Sequence, residues 1–284
     1  METSINCIPC FIRQAIDGIT MLTDDPEVHE RLARDVLREL SILDYTVAPP
    51  KIGRMVHKMI CRASGNSDPY HDIKKRCNRH ALELYTDLKS TVNRASDLFG
   101  TAVRLAIAGN IIDFGTGTQV NKDTITGAID AALIQPIDTR EIERLKVAIE
   151  NAETILYLGD NAGEIVFDRV LIEELPCEKI IFAVRGAPVI NDVLMEDAVE
   201  TGLTGLVRVI DNGSDVPGTD LSECSEKFKA VYKSADLVIA KGQGNFETLH
   251  DADKNIFFLF KVKCPVVAGH SGQRLGDAVI TATG

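Results

Sequence analysis

Polar side chains that suit metal and phosphate chemistry follow short apolar runs in the second half of the sequence. Asp160 and Asn161 follow the run TILYL, Asp192 lies in the loop after KIIFAV, and Lys241 follows LVIA. Asp160, Asn161 and Asp192 offer the oxygen ligands that Mg²⁺ and Mn²⁺ prefer. Gly163 leads into a helical pattern whose first backbone N–H groups could hold a phosphate. This set predicts metal-assisted phosphoryl chemistry, with a metal-activated water as the attacking group.

Each of these residues also has a purely structural interpretation. GDNAGE could be only a strand-to-helix turn that is capped by Asp or Asn. Asp192 could be the N-cap of the helical stretch DVLMEDAVETG, and Lys241 could be a solvated charge in a glycine-rich turn. Convergence favours a site, because ligands of a doubly wound sheet bind outside the carboxyl ends of its strands. These loops contain no histidine triad or Cys–His pair, which argues against zinc hydrolysis or a thiol nucleophile.

The elements that must position these loops alternate along the chain after residue 153. Five apolar runs, each ending in Gly or Asp, are predicted strands: TILYLG, KIIFAVRG, LVRVID, LVIAKG and PVVAG. Helical patterns separate most of them, as in EIVFDRVLIEEL, DVLMEDAVETGL and SECSEKFKAVYKSA. Such alternation predicts a mostly parallel, Rossmann-like α/β sheet with helices on both faces.

The sequence before residue 152 is helical in character. DDPEVHERLARDVLREL begins with the candidate caps Asp24 and Asp25 and has Pro26 in its first turn. APPKIGRMVHKMICRASG follows the same pattern and ends at Gly65. We therefore predict a helical region over residues 1–151 and an α/β domain over 152–284 that carries the metal site.

Composition excludes several classes of partner. The 284 residues carry a formal net charge of -11, so a nucleic-acid backbone is not expected as the main partner. The sequence has no apolar run of the length that crosses a bilayer and no basic lead before an apolar run, so we expect a cytoplasmic protein. Oligomeric state has no indication in the sequence.

The cysteines and histidines leave alternatives open. Cys7 and Cys10 have the spacing of half a zinc site, which Cys61 and Cys77 could complete only if folding brought them close. The favoured interpretation is a pair of helix-start thiols, one buried and one exposed. His270 follows the last predicted strand and could reach the site, although a loop histidine is the favoured interpretation.

Three motifs in order, GDNAGE, RGAPVINDV and KGQGNFE, resemble the "domain of unknown function 89" group, the ARMT-like metal-dependent damage-control phosphatases. AGNIIDFG and the early Cys-x-x-Cys match further elements, and the similarity to the prokaryotic-type branch covers essentially the whole chain. The resemblance implies a three-layer α/β/α domain with an N-terminal helical region. It also implies a phosphatase that uses Mn, Co, Ni or Mg on small phosphorylated metabolites, such as sugar phosphates or phosphopantetheine-like compounds.

Roles of individual residues also follow from the resemblance. Asp160 and Asn161 match the family's metal-binding pair, Asp192 matches its further acid, and Lys241 matches its phosphate-side lysine. Asp160, Asp192 and Lys241 form the implied catalytic set. The implied substrate- or phosphate-binding set is Asn110, Asp113, Gly163, Glu164, Arg185, Lys241 and Asn245. Glu164 has an alternative role, because an acid also favours the first turn of a helix.

Two other functions remain open at the level of sequence. A carboxyl methyltransferase that uses S-adenosylmethionine would need a glycine-rich first loop, whereas GDNAGE places two polar side chains there. A non-catalytic metal or phosphometabolite sensor would use the same ligands as an enzyme.

Overall fold

A computed structural model describes residues 1–109 and 122–283 of the chain. Helices dominate the first half of this described part. They are α1 (Ile8–Thr20), α2 (Pro26–Ser41), α3 (Pro49–Ser64), α4 (His71–Arg94), α5 (Leu98–Gly109), α6 (Lys122–Ile134) and α7 (Thr139–Asn151).

The second half alternates strands and helices. The strands are β1 (Ile155–Leu158), β2 (Ile180–Val184), β3 (Arg208–Asp211), β4 (Leu237–Lys241), β5 (Ile256–Lys261) and β6 (Ala278–Ala282). The helices are α8 (Glu164–Ile172), α9 (Met195–Glu200), α10 (Glu226–Ser234), α11 (Gly242–Leu249) and α12 (Pro265–Ser271). The strand order is β3-β2-β1-β4-β5-β6, and β6 alone among these strands runs antiparallel.

Local sequence explains where the early helices begin and end. The Asp25 carboxylate accepts the Glu27 N–H, and Pro26 occupies the first position of α2, where no N–H is needed. Gly65 closes α3 in the left-handed conformation with a φ of 69°, which glycine adopts without steric cost.

The sheet is covered on both faces, which makes the domain three-layered. Ile155 and Tyr157 of β1 join one hydrophobic cluster, which includes buried residues of α4, α5, α7 and α8. Leu156 and Leu158 join the opposite cluster, which contains Phe228 of α10 and further residues of α11 and α12. This alternation is the pattern of a strand that is buried on both faces.

Two predicted elements are wrong. PVVAG is the start of helix α12, because Pro265 suits a first helical turn and the Cys264 sulfur accepts the Val267 N–H at 3.4 Å. The strand beside β4 is instead formed by IFFLFK, and His270 lies within α12. The helix predicted to begin at Asp192 begins at Met195, since Asp192 pairs with Asn161 in an isolated β-bridge.

The helical region does not form one separate core. Helices α1 to α3 pack around their own cluster, whereas Val103 of α5 and Leu145 of α7 belong to the cluster that lines the sheet. Helix α5 packs along α8, which follows β1 directly. The division at 151/152 therefore marks a change in secondary structure within a shared core.

Candidate active site

The loops after β1 and β2 are joined by backbone pairing at the carboxyl edge of the sheet. Ala162 N–H donates to Asn191 O, and Val193 N–H donates to Asp160 O, both at 2.9 Å. These bonds form the bridge between Asn161 and Asp192. Asn161 and Asp192 are thereby held side by side. This proximity is expected for loops that follow neighbouring parallel strands.

Three carboxylates meet at this bridge. Glu164 is 1% exposed, Asp192 is 4% exposed and Asp160 is 9% exposed. Burial raises the pKa of Asp160 to about 8, and the charges of Glu164 and Asp192 add to the effect. Burial also raises the pKa of Asp192, against the opposing influence of Arg185. The Asn161 amide bridges two of these acids, since its Nδ2 donates to Asp160 Oδ2 at 2.7 Å and to Glu164 Oε2 at 3.0 Å.

Arg185 is the cation that faces these acids. Its side chain is 1% exposed, and its Nε donates to Asp192 Oδ2 at 2.7 Å. Its Nη2 lies 4.0 Å from Asp160 Oδ1 and has no hydrogen-bond partner within the described part of the chain. A buried guanidinium donor without an acceptor is costly, so this atom is suited to receive an anionic group.

Lys241 is buried beneath the carboxylates. Its Nζ donates to Glu164 Oε1 and to Ala106 O at 2.7 Å, and to Asp168 Oδ1 at 2.5 Å. An ammonium has three donors, and all three are engaged within the protein. Burial alone would lower the pKa of Lys241, but Asp168 and Glu164 outweigh burial and raise it. A direct phosphate contact from Lys241 stays a prediction.

Asp168, which was not among the predicted site residues, belongs to this buried network. It is 1% exposed and also accepts the Tyr157 hydroxyl at 2.8 Å. Burial raises the pKa of Asp168 to about 6 despite the attraction of Lys241. Asp168 lies one helical turn after Glu164 on α8, so the i, i+4 spacing was a usable indication.

The first turn of α11, which follows β4 directly, supports the site from a third side. Gly242 has a φ of 77°, and a Cβ at this position would overlap the Asp160 carboxylate. Asn245 donates to Lys241 O at 2.7 Å and to Gly159 O at 3.2 Å, and it accepts the Thr219 hydroxyl at 2.8 Å. The Asn245 amide thus ties β4 to β1, and its substrate contact stays a prediction.

The start of α8 is already hydrogen-bonded within the protein. Gly163 N–H donates to Asn78 Oδ1 of α4 at 2.8 Å, and Ile165 N–H donates to Asn161 O at 3.2 Å. Phosphate binding by the Gly163 N–H would therefore have to displace Asn78, and it stays a prediction.

The loop that precedes Asp192 is strained. Ile190 has a φ of 45°, a region that β-branched residues rarely adopt. Its N–H donates to Nδ1 of the buried His57 at 3.3 Å, and its side chain packs near Tyr70 and Ile73. Helices α3 and α4 thus help to hold the backbone on which Asp192 stands.

The donor set fits a divalent cation. Asp160, Asp192 and the Asn161 amide oxygen supply the hard ligands that such ions select. Four buried carboxylates, including those of Glu164 and Asp168, face two buried cations, Arg185 and Lys241. Burial raises the pKa of Asp160 to about 8, and a divalent ion would favour the ionised form of this carboxylate by supplying positive charge beside it.

A second group of possible ligand atoms lies elsewhere in the described residues. Asp68, His71 and Glu196 bring one ligand atom each within 4.8 Å of one another. Lys74 contacts Asp68 at 2.9 Å and Lys75 contacts Glu196 at 3.7 Å, so lysines already balance these acids.

The remaining predicted residues fall into two groups. Asn110 and Asp113 lie outside the described residues, so their place at the pocket wall stays a prediction. Cys7 is buried and Cys10 is exposed at the start of α1, which is the arrangement that the helix-start interpretation expects.

Comparison with known proteins identifies the family. Residues 3–279 match the damage-control phosphatase ARMT1-like domain. The chain belongs to this family. A damage-control phosphatase of Pyrococcus horikoshii is 33% identical over 274 residues, which cover 94% of this chain and 93% of that protein. A damage-control phosphatase of Archaeoglobus fulgidus is 30% identical over 286 residues, which cover 98% of each chain.

The fold of this family member agrees with a solved relative. The crystal structure of a DUF89 family protein from Pyrococcus horikoshii matches it with a TM-score of 0.89 and 31% identity, over 100% of both chains. The resemblance and the α/β fold with a helical N-terminal region are thereby confirmed. None of the described helices combines the length and the apolar character needed to cross a bilayer.

Proposed function

We propose that this member of the damage-control phosphatase family is a divalent-metal-dependent phosphatase of small phosphorylated metabolites. The observation that carries the proposal is the meeting of Asp160 and Asp192 at Arg185, whose Nη2 has no partner among the described residues. Glu164 joins this group through the Asn161 amide, which donates to both Asp160 and Glu164. Such a site offers ligands to a cation and a donor to an anion at the same place. The names of the relatives support the same activity.

The metal ligands in this proposal are Asp160, Asn161 and Asp192. When bound, the metal would neutralise phosphoryl oxygens and lower the pKa of a nearby water. Asp160 is held by Asn161 Nδ2 and packs against Gly242, so its carboxylate has little freedom to approach phosphorus. We therefore assign the attack to a water and not to an aspartyl nucleophile.

Arg185 and Lys241 have different roles in the proposal. Arg185 Nη2 binds a phosphoryl oxygen, because it is buried, charged and 4.0 Å from the ligand Asp160. Lys241 positions Glu164 through the 2.7 Å contact. Glu164, which Asn161 and Lys241 both hold, is placed to accept a proton from the attacking water.

The test is phosphate release by the purified chain. Substrates would be p-nitrophenyl phosphate and a panel of sugar phosphates and phosphopantetheine-like compounds, each with Mn²⁺, Co²⁺, Ni²⁺ or Mg²⁺. We expect metal-stimulated turnover that Asp160→Ala abolishes without change in the circular dichroism spectrum. Asp251→Ala, at a side chain that is 78% exposed, is the control and should retain turnover. No turnover with any metal and substrate would reject the proposal.

A further inference from the structure

A single buried amide in the helical region contacts the backbone behind both site loops. Asn78 of α4 is 0% exposed, and its Oδ1 accepts the Gly163 N–H at 2.8 Å. Gly163 is the residue between the Asn161 loop and α8. The first site loop is thereby tied to α4 directly.

The other end of the same amide reaches the second loop. Asn78 Nδ2 donates to Asp197 Oδ1 at 2.7 Å and to Glu200 Oε2 at 3.0 Å. Asp197 Oδ2 in turn accepts the Leu194 N–H at 2.7 Å, two residues after Asp192. One amide and one carboxylate therefore connect Gly163 N–H to Leu194 N–H.

The chemistry of this link requires an amide. The acceptor end meets a backbone donor, and the donor end meets two carboxylates, so reversing the amide would place oxygen against oxygen. An aspartate would keep the Gly163 bond but repel Asp197 and Glu200, and an alanine would lose both ends. Asn78 is thus the side chain whose two ends match the two loops.

We propose that Asn78 is a positioning residue, which sets the spacing between the Asp160–Asn161 pair and Asp192. In this role it acts through Gly163 N–H and Asp197, to which its two ends are hydrogen-bonded. The role rests on the proposed function, because it matters for turnover only if those residues bind a metal. Partners of this kind commonly change metal affinity by 10–100-fold when they are removed.

The experiment compares Asn78→Ala and Asn78→Asp with Leu84→Ala, a buried residue of α4 that belongs to the shared core. Amide hydrogen exchange would be followed at Gly163 and Leu194, and Mn²⁺ binding would be measured by calorimetry. For Asn78→Ala we expect faster exchange at both amides and about 10–100-fold weaker Mn²⁺ binding. In Asn78→Asp, the Gly163 amide should exchange as slowly as in the unaltered protein, whereas the Leu194 amide should exchange faster. Leu84→Ala should change global stability but leave Mn²⁺ affinity unaltered.

The two readouts separate this inference from the proposed function. Unchanged exchange at Gly163 and Leu194 in Asn78→Ala would overturn the positioning role, whatever the activity. If Asn78→Ala does not fold, Asn78→Asp decides, and wild-type exchange at Leu194 in that variant would also overturn it. Failure of the unaltered protein to release phosphate with any of the four metals would instead reject the proposed function, while hydrogen exchange at Gly163 and Leu194 would still test whether Asn78 holds the two loops.

Discussion

At the scale of single residues, the site is defined by how little space surrounds Asp160. Asn161 Nδ2 donates to its carboxylate, and Arg185 Nη2 lies 4.0 Å from it. Gly242 packs so closely against the same carboxylate that a Cβ on this glycine would overlap it. A buried carboxylate in such close quarters keeps one orientation, which is what a metal ligand requires.

Gly242→Ala should therefore damage both stability and turnover. The left-handed backbone costs alanine roughly 1–3 kcal/mol, and displacement of Asp160 by about 1 Å would lower kcat/KM by about 10²-fold. Urea unfolding and steady-state kinetics measure the two effects. Gly269→Ala is the control, because a Cβ there meets no atom within 4 Å and the helix α12 gains up to about 1 kcal/mol. Wild-type kinetics in Gly242→Ala would contradict the expectation.

Lys241→Met should destabilise the fold severely. The substitution leaves Glu164 and Asp168 buried without their cation, which costs roughly 3–5 kcal/mol in comparable buried pairs. The double variant Lys241→Met/Asp168→Asn should lose less unfolding free energy than the two single variants lose in sum. The second substitution removes one of the charges that Lys241→Met leaves without a partner. Urea unfolding measures both quantities. Lys229→Met, whose partner Glu226 is 89% exposed, should cost less than about 1 kcal/mol.

At the scale of elements, α11 carries a buried acid that was not among the predicted site residues. Glu247 is 9% exposed and pairs with Gln243 one turn earlier, where Gln243 Nε2 donates to Oε1 at 2.7 Å. Burial raises the pKa of Glu247 from 4.5 to about 7. A raised carboxyl pKa means that the folded state holds its proton more tightly than the unfolded state.

The contribution of Glu247 to stability is therefore complete below pH 4.5 and is lost as the pH rises through about 7. Glu247→Gln cannot ionise, so its stability relative to the unaltered protein should rise by about 2–4 kcal/mol between pH 4.5 and pH 8. Unfolding free energies across that range give the measurement. A constant difference between the two proteins at all pH values would contradict the assigned pKa.

Local patterns were sufficient for most elements of this fold. Asp25 and Pro26 predict the start of α2. The runs TILYL, KIIFAV and LVIA are predicted as strands because they are apolar and contain β-branched residues. PVVAG misled because a short apolar run does not distinguish a strand from a buried helix, and the cap at Cys264 decided it.

The proximity of the candidate ligands was predictable only where these residues follow strands, and their role as metal ligands stays a prediction. Asp160, Asn161 and Asp192 could be found because parallel strands end at one edge. Asn78 could not be found, because it lies 85 residues from Gly163 and nothing local marks the contact. The internal pairing of Lys241 was equally hidden, since Ala106 O is 135 residues away.

At the scale of the whole molecule, the helical region and the sheet share hydrophobic surface. Ala102, Val103 and Leu105 of α5 are completely buried in the cluster that also contains Ile165 and Val166 of α8. The site loops, moreover, donate backbone hydrogen bonds to the His57 and Asn78 side chains in that region. Folding and function therefore depend on both halves of the chain.

The fragment 152–284 should not fold alone. Without α4, α5 and α7, it would expose a broad apolar face of the sheet and of α8. We expect the isolated fragment to aggregate or to lack a cooperative thermal transition, whereas the full chain should unfold in one transition. Calorimetry and size-exclusion chromatography measure these outcomes. A soluble fragment with a sharp transition would indicate an independent domain.

The left-handed backbone at Ile190 has a consequence for how this protein can evolve. Glycine or asparagine would occupy a φ of 45° with less strain, so backbone conformation alone would favour replacement of the isoleucine. Either replacement would remove the apolar side chain that seats the loop near Tyr70 and Ile73. Backbone strain and side-chain packing therefore favour different residues at position 190, and the isoleucine keeps the packing at the expense of the strain.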